Sequence, residues 1–223
     1  MQESDLGFAI EEDVFRDCEC DTLVGALSGA IVPHSRAGAR HLMSYPVVAA
    51  LACDSRLIKT ASKWLDSGAQ PFRATLFEKS SQSNWLIPWH QDTALPLQHK
   101  FDEPGWGPWS EKGGISYAHA PGWALSRIIA LRVHLDASTV KNGPLRVIPK
   151  SHLCGVLSDD AVLDYVKCHE PVECLAPRGG VIAMRPLLIH SSSKARNEDP
   201  RRVLHIEYAA SLELSPHVRL EIA

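Results

Sequence analysis

A chain of 223 residues that is 45% hydrophobic and 22% charged can bury one sizeable core. Its formal net charge is -3 with no dense Lys/Arg run, which argues against nucleic acid as a partner. No apolar stretch approaches the roughly 20 residues of a bilayer span, and residues 1–10 carry acids without a basic lead-in, so neither a membrane segment nor a secretory leader is expected.

In chain order, residues 13–27 read as a first helix, with Val14, Leu23, Val24 and Leu27 at partly helical spacing. Pro46 opens a second helix running to Ala52, and residues 55–65 a third, amphipathic one with Leu57, Ile58, Ala61 and Leu65 on one side. Gly68 and Pro71 then punctuate the chain. Residues 72–79 alternate as a strand, and residues 84–92 are extended. Residues 100–117 hold Pro104, Gly105, Gly107, Pro108, Gly113 and Gly114 around Trp106 and Trp109, and predict a long loop or lid. Further strands are predicted at 127–135, at 145–149 after the Lys141-Asn142-Gly143-Pro144 turn, and at 172–175, 180–185 and 202–209. A surface helix is expected at 158–167, its start marked by Asp159 and Asp160. Strands that do not alternate with helices exclude a parallel α/β sheet and point to an antiparallel sandwich or jelly roll. The reading is one domain, 1–223, with 1–70 as mainly helical support and 71–212 as the jelly-roll core.

The six cysteines (Cys18, Cys20, Cys53, Cys154, Cys168 and Cys174) include no Cys-x-x-Cys pair and suggest no disulfide framework. Reduced thiols and a cytoplasmic location are expected.

The chemistry-bearing pattern is Trp89-His90-Gln91-Asp92. In an extended segment residues i and i+2 share a face, so His90 and Asp92 can grip one metal ion. The third ligand expected is His190, which follows the apolar, strand-like run Pro186-Leu187-Leu188-Ile189 and opens a polar one. Two histidines and one carboxylate form a facial triad with open positions, the ligand set of non-haem Fe(II) oxygenases. Taken alone, a His-x-Asp is equally a surface loop with a capping Asp, and His190 a buried histidine bonded to backbone.

Three segments narrow the choice: RATLFEKSSQSNWLIPWHQD at 73–92, HLDASTVKNGPLRVIPKSH at 134–152 and MRPLLIHSSSKARNEDPRRVLHIEY at 184–208. In these the chain resembles the phytanoyl-CoA dioxygenase family of iron(II)- and 2-oxoglutarate-dependent oxygenases, over about residues 70–210. The run Asn-Gly-Pro-Leu-Arg-Val-Ile-Pro-x-Ser-His is specific to the family and independent of the ligands. Lys150 departs from it, standing where the family commonly has Gly. The resemblance implies a double-stranded β-helix, metal ligands at His90, Asp92 and His190, and 2-oxoglutarate and dioxygen as cosubstrates. It implies hydroxylation of a small molecule coupled to oxidative decarboxylation of 2-oxoglutarate to succinate and CO2. Retention of Asp92 favours hydroxylation over halogenation, since related halogenases carry a small residue there.

The family also holds the far carboxylate of 2-oxoglutarate with an arginine downstream of the distal histidine, a task suited to the guanidinium fork. Arg201 and Arg202 are the candidates. Arg202 shares strand parity with Leu204, Ile206 and Tyr208, an apolar set; Arg201 shares it with Val203, His205 and Glu207, a polar interior set. Parity and the family's spacing both select Arg201, and Ser192 matches a family serine bonding the same carboxylate.

Lys79 and Asn84 either line the pocket or serve as a salt bridge and a turn residue. His134 has the parity of Arg132 and is a candidate for the interior, whereas His152 reads as structural. Trp106 and Trp109 form a lid or anchor their loop. His34, His41, His99, His119, His169 and His217 receive no role. A metal-dependent isomerase or hydrolase on a cupin-like barrel, and a non-catalytic binding barrel, stand as alternatives. The expected substrate is a secondary metabolite or small organic acid.

Overall fold

The computed structural model describes residues 3–29, 34–35, 38–80 and 83–223, so Ser81 and Gln82 of the first resemblance segment lie outside the described residues. In chain order the elements are α1 (Glu3–Leu6), β1 (Phe8–Glu11), α2 (Asp17–Gly29), β2 (His34–Ser35), β3 (Gly38–Ala39), α3 (Pro46–Ala52) and α4 (Ser55–Ser62). There follow β4 (Gln70–Lys79), β5 (Ile87–His90), β6 (Ala94–Leu97), β7 (Trp109–Lys112), β8 (Ile115–His119), α5 (Gly122–Leu125) and β9 (Ile128–His134). The remainder comprises β10 (Leu145–Val147), α6 (Asp159–Lys167), β11 (Val172–Cys174), β12 (Val181–Met184), β13 (His190–Ser192), β14 (Arg201–Ala209), β15 (Glu213–Ser215) and β16 (Val218–Arg219).

The strands form a seven-stranded sheet, β1-β12-β9-β14-β4-β3-β2, and a four-stranded sheet, β11-β10-β13-β5, with every pair antiparallel and neither sheet closed. Ala130, Ile182 and Met184 of the large sheet pack with Leu145, Val147 and Cys174 of the small one, which places the sheets face to face as a jelly roll. This is the predicted fold class.

Two-residue periodicity splits the large sheet cleanly. Leu76, Ile129, Leu131, Val133, Leu204, Ile206 and Tyr208 turn outward into a core shared with Leu23 and Leu27 of α2, Val48 and Leu51 of α3, and Leu57 and Ala61 of α4. The Tyr208 hydroxyl donates to the Ala52 carbonyl at 2.9 Å, so its buried polar tip is satisfied. Asp54 caps α4 by accepting from the Arg56 amide at 2.9 Å. The opposite face carries Arg73, Thr75 and Lys79 on β4, Arg132 and His134 on β9, and Arg201, His205 and Glu207 on β14, a polar set turned inward. Register brings Arg201 opposite Lys79 and His205 opposite Arg132.

Several predicted boundaries shift. The first helix begins at Asp17, because Asp13 sits at φ 56, outside helical geometry. The run 186–189 is a turn, and the strand starts at His190 itself. The largest correction concerns residues 100–117. Trp109–Lys112 and Ile115–His119 form a hairpin that β6 extends to three strands, turned by Gly113 and Gly114 at φ 58 and 80. A two-glycine connection tolerates the positive φ that tight hairpins need. Trp106 and Trp109 each pack edge-on to Phe101 with centroids 5.2 Å apart, which is anchoring. The first 70 residues also contribute β1, β2 and β3 to the large sheet. All six cysteines are unpaired, and no helix among the described residues is long and apolar enough to cross a membrane.

Candidate active site

His90 closes β5 and lies directly opposite His190, the first residue of β13, with ring centroids 4.2 Å apart. The chain leaves β5 at His90, and the Asp92 amide donates to the Pro186 carbonyl at 2.9 Å, which fixes the carboxylate between the rings. Asp92 Oδ1 is 3.7 Å from His90 Nε2, and Oδ2 is 3.5 Å from His190 Nε2. One donor atom from each residue falls within 4.8 Å of the others, the only such His/Cys/Asp/Glu group among the described residues.

The tautomers are fixed from behind. Nδ1 of His90 lies 2.8 Å from the Pro88 carbonyl, and Nδ1 of His190 lies 2.8 Å from the Leu188 carbonyl. A carbonyl only accepts, so each Nδ1 carries the hydrogen and each Nε2 turns a lone pair to the common centre. Burial pushes His190 down to about 3, and His90 presses the same way, which keeps its ring neutral. Burial alone would favour neutral Asp92, but His190, His90, His205 and Arg73 outweigh it and hold the carboxyl well below the usual carboxylate range. A neutral His190 ring beside an ionised Asp92 carboxylate is what a divalent metal requires of these two ligands.

The segment 142–152 supports this group. Val147 pairs with His190 and Leu145 with Ser192. Ser151 Oγ accepts from the Ile189 amide at 2.8 Å and donates to the Ile148 carbonyl at 2.7 Å, so it braces the residue before the ligand. Lys150 sits at φ 67, a left-handed conformation that glycine adopts more readily, and the turn is retained. Gln91 points away from the centre; its amide donates to the Leu187 and Gly155 carbonyls at 2.7 and 2.9 Å and accepts from the Leu157 amide at 2.8 Å.

Further along β13, Ser192 Oγ donates to the Gly143 carbonyl at 2.8 Å and accepts from Lys79 Nζ at 2.7 Å and Arg201 Nη2 at 3.2 Å. Lys79 also donates to the Ser193 carbonyl. Gly143 is required here: at φ 69, a Cβ would meet the Ser193 carbonyl oxygen at 2.3 Å. Burial pushes Lys79 down to about 7, helped by Arg201, Arg132 and Arg146, and pushes Arg201 down to about 9, helped by Arg132. Arg201 Nε and Nη1, Arg132 Nε and both ring nitrogens of His134 are buried without a hydrogen-bond partner. A buried, unpaired charge costs on the order of several kcal/mol. Two arginines with orphaned donors, Arg201 and Arg132, together with the hydrogen-bonded Lys79, therefore form a cradle suited to an anion.

His90, Asp92 and His190 are thus brought together, and Arg201, Ser192 and Lys79 form a second group. His134 lies inside the roll, fully buried. Asn84 instead ties the chain to Ala195 through both amide atoms, at 2.7 and 2.9 Å. Arg202 leaves the interior and pairs with Asp136 at 2.7 Å. Sequence reasoning set His205 and Glu207 on the interior face but gave no role to them, to Arg132 or to Arg73. Strand parity with Arg201 and Lys79 was the available signal. These form a buried chain: Arg132 Nη1 lies 3.1 Å from His205 Nδ1, His205 Nε2 lies 3.5 Å from Glu207, and Glu207 pairs with Arg73.

The phytanoyl-CoA dioxygenase (PhyH) family model matches residues 7–203. An L-proline trans-4-hydroxylase from Streptomyces griseoviridis is 28% identical over an alignment covering 68% of this chain; the chain spans 59% of that relative's length. Among solved structures, EctD from S. alaskensis with 2-oxoglutarate and 5-hydroxyectoine superposes with a TM-score of 0.70 at 22% identity, covering 93% of this chain and 73% of that one. HygX from Streptomyces hygroscopicus with nickel and 2-oxoglutarate gives 0.67 at 15% identity, covering 93% and 84%. At these identities the structural matches speak for the fold.

Proposed function

Because the chain belongs to the phytanoyl-CoA dioxygenase family, we propose that it is an iron(II)- and 2-oxoglutarate-dependent dioxygenase that hydroxylates a small molecule. The observation that carries this reading is the pairing of two sites inside one roll: a His90-Asp92-His190 donor set and, two residues along the same strand, a cationic cradle with no ion-paired carboxylate among the described residues. Residues i and i+2 on a strand are about 7 Å apart, the scale of a five-carbon diacid.

His90, Asp92 and His190 would hold the iron. Arg201 and Ser192, with Lys79, would hold the far carboxylate of 2-oxoglutarate. When bound, iron and cosubstrate supply the oxidising chemistry, with dioxygen consumed and 2-oxoglutarate converted to succinate and CO2. The protein's own part is positioning. The Pro88 and Leu188 carbonyls orient the imidazoles, and Ser151 fixes the chain before His190. Orphaned donors on Arg201 would gain partners when the carboxylate arrives, so the energy stored in unpaired charge is recovered on binding. Residues 1–223 are read as one oxygenase domain acting on a small organic substrate.

The test is dioxygen-dependent succinate release by purified protein given iron(II), 2-oxoglutarate and a metabolite library. The reading expects release that requires both iron and a library member, and that Asp92→Ala abolishes. Substrate-stimulated release unchanged in Asp92→Ala would overturn the ligand assignment.

A further inference from the structure

A cavity of about 280 Å3 opens beside Asp92, at the small end for a ligand pocket. Its charge is one-sided. Arg40, Arg73 and Lys112 line it, and the only carboxylate in its wall is Asp92, a member of the metal-ligand set. Arg73 is neutralised from behind by Glu207. Arg40 and Lys112 have no carboxylate within ion-pair distance among the described residues.

An exposed arginine and a half-buried lysine are ordinarily solvated, but the lysine is held in place and the arginine adjoins a residue that is. The β7–β8 hairpin carries Lys112 over the ring of Tyr117, with Nζ 4.7 Å from the ring centroid. Tyr117 is buried, and its hydroxyl lies 3.0 Å from His41 Nε2. His41 packs in turn against the Gly113 turn, where a Cβ would come within 2.9 Å of the imidazole. Arg40 precedes His41 directly. Burial lowers Lys112, and Arg40 and Arg73 press it the same way; His41 is lowered by burial and by the same three cations. Like charges are thus gathered around a pocket whose wall includes Asp92 of the ligand set.

We infer that the substrate is a small molecule bearing an anionic oxo group, a carboxylate or a phosphonate, that docks between Arg40 and Lys112 over Tyr117. The carbon to be oxidised then faces His90, Asp92 and His190. This deepens the oxygenase reading and rests on it. The two cations would act as a specificity clamp, separate from Lys79 and Arg201, which do not line this cavity.

The test is calorimetric titration of the full chain loaded with zinc(II), which supports no turnover, and with saturating 2-oxoglutarate to fill the cradle. The probes are matched sets of small aliphatic and cyclic carboxylic acids, the corresponding phosphonates, and the primary amides. At least one acid or phosphonate should bind, with its amide about tenfold weaker or worse. Comparing the acid with the phosphonate arm tells which anion is preferred. Arg40→Gln with Lys112→Gln should weaken anion binding about tenfold or more and leave amide and 2-oxoglutarate binding unchanged. The charge-preserving Arg40→Lys with Lys112→Arg should retain most of it, which controls for folding. Amides that bind as well as acids, a probe set in which no anion binds, or full binding in the glutamine double variant would each overturn the inference. If 2-oxoglutarate itself fails to bind, the oxygenase reading fails separately. The same anion–amide comparison between wild type and double variant, run on metal-free protein, then decides the clamp.

Discussion

Lys79 Nζ lies 2.7 Å from Ser192 Oγ, a contact that joins β4 of the large sheet to β13 of the small one. The lysine is fully buried, and burial with Arg201, Arg132 and Arg146 pushes it down to about 7. A dianionic cosubstrate binds best while Lys79 is protonated. Affinity for 2-oxoglutarate should therefore fall as pH rises above about 7, by up to roughly tenfold per unit, with proton uptake on binding. Calorimetry in buffers of different ionisation enthalpy measures that uptake, and Lys79→Met should remove both the uptake and the slope. The sign for stability is opposite. Between about 7 and the ordinary 10.5, the unfolded chain binds the extra proton, so ligand-free protein should gain stability as pH rises through that window.

Arg201 is predicted to separate binding from stability. It is buried with two orphaned donor atoms and no ion-pair partner among the described residues. Arg201→Gln should weaken 2-oxoglutarate binding by on the order of 30-fold or more, about 2 kcal/mol. It should leave iron affinity unchanged. In the absence of 2-oxoglutarate the variant should melt no lower than the wild type, because an uncompensated buried charge has been removed. Differential scanning calorimetry with and without cosubstrate checks both halves.

Ser151 offers a structural test of the segment 142–152. Its hydroxyl is the partner of the Ile189 amide, and the residue is fully buried. Ser151→Ala should cost about 1–3 kcal/mol by leaving that amide unsatisfied. Urea unfolding reads the loss. Because the brace lies beside His190, iron affinity should fall by about tenfold.

Most of the architecture was legible because two-residue periodicity is strong where a sheet has one apolar and one polar face. On β14, Leu204, Ile206 and Tyr208 against Arg201, His205 and Glu207 gave both the strand and the direction of each side chain. The helix Pro46–Ala52 was legible from its proline start. The hairpin of β7 and β8 was not, because glycines, prolines and tryptophans in one stretch resemble a loop, and its pairing depends on β6, more than ten residues upstream. His90, Asp92 and His190 were legible as residue types, but their convergence depends on the β5–β13 register, which no local pattern encodes. Arg40 and Lys112 carry no local signature at all; they matter only through what the fold places opposite them.

The central claim is that His90, Asp92 and His190 hold iron(II) next to a 2-oxoglutarate cradle. Anaerobic titration with iron(II) and then 2-oxoglutarate, followed by visible absorption, tests it most directly. The prediction is a charge-transfer band that grows only when both are present, saturates at one iron per chain, and is lost in Asp92→Ala and in His190→Ala. Tight zinc binding with no such band, or a band that survives both substitutions, would contradict it.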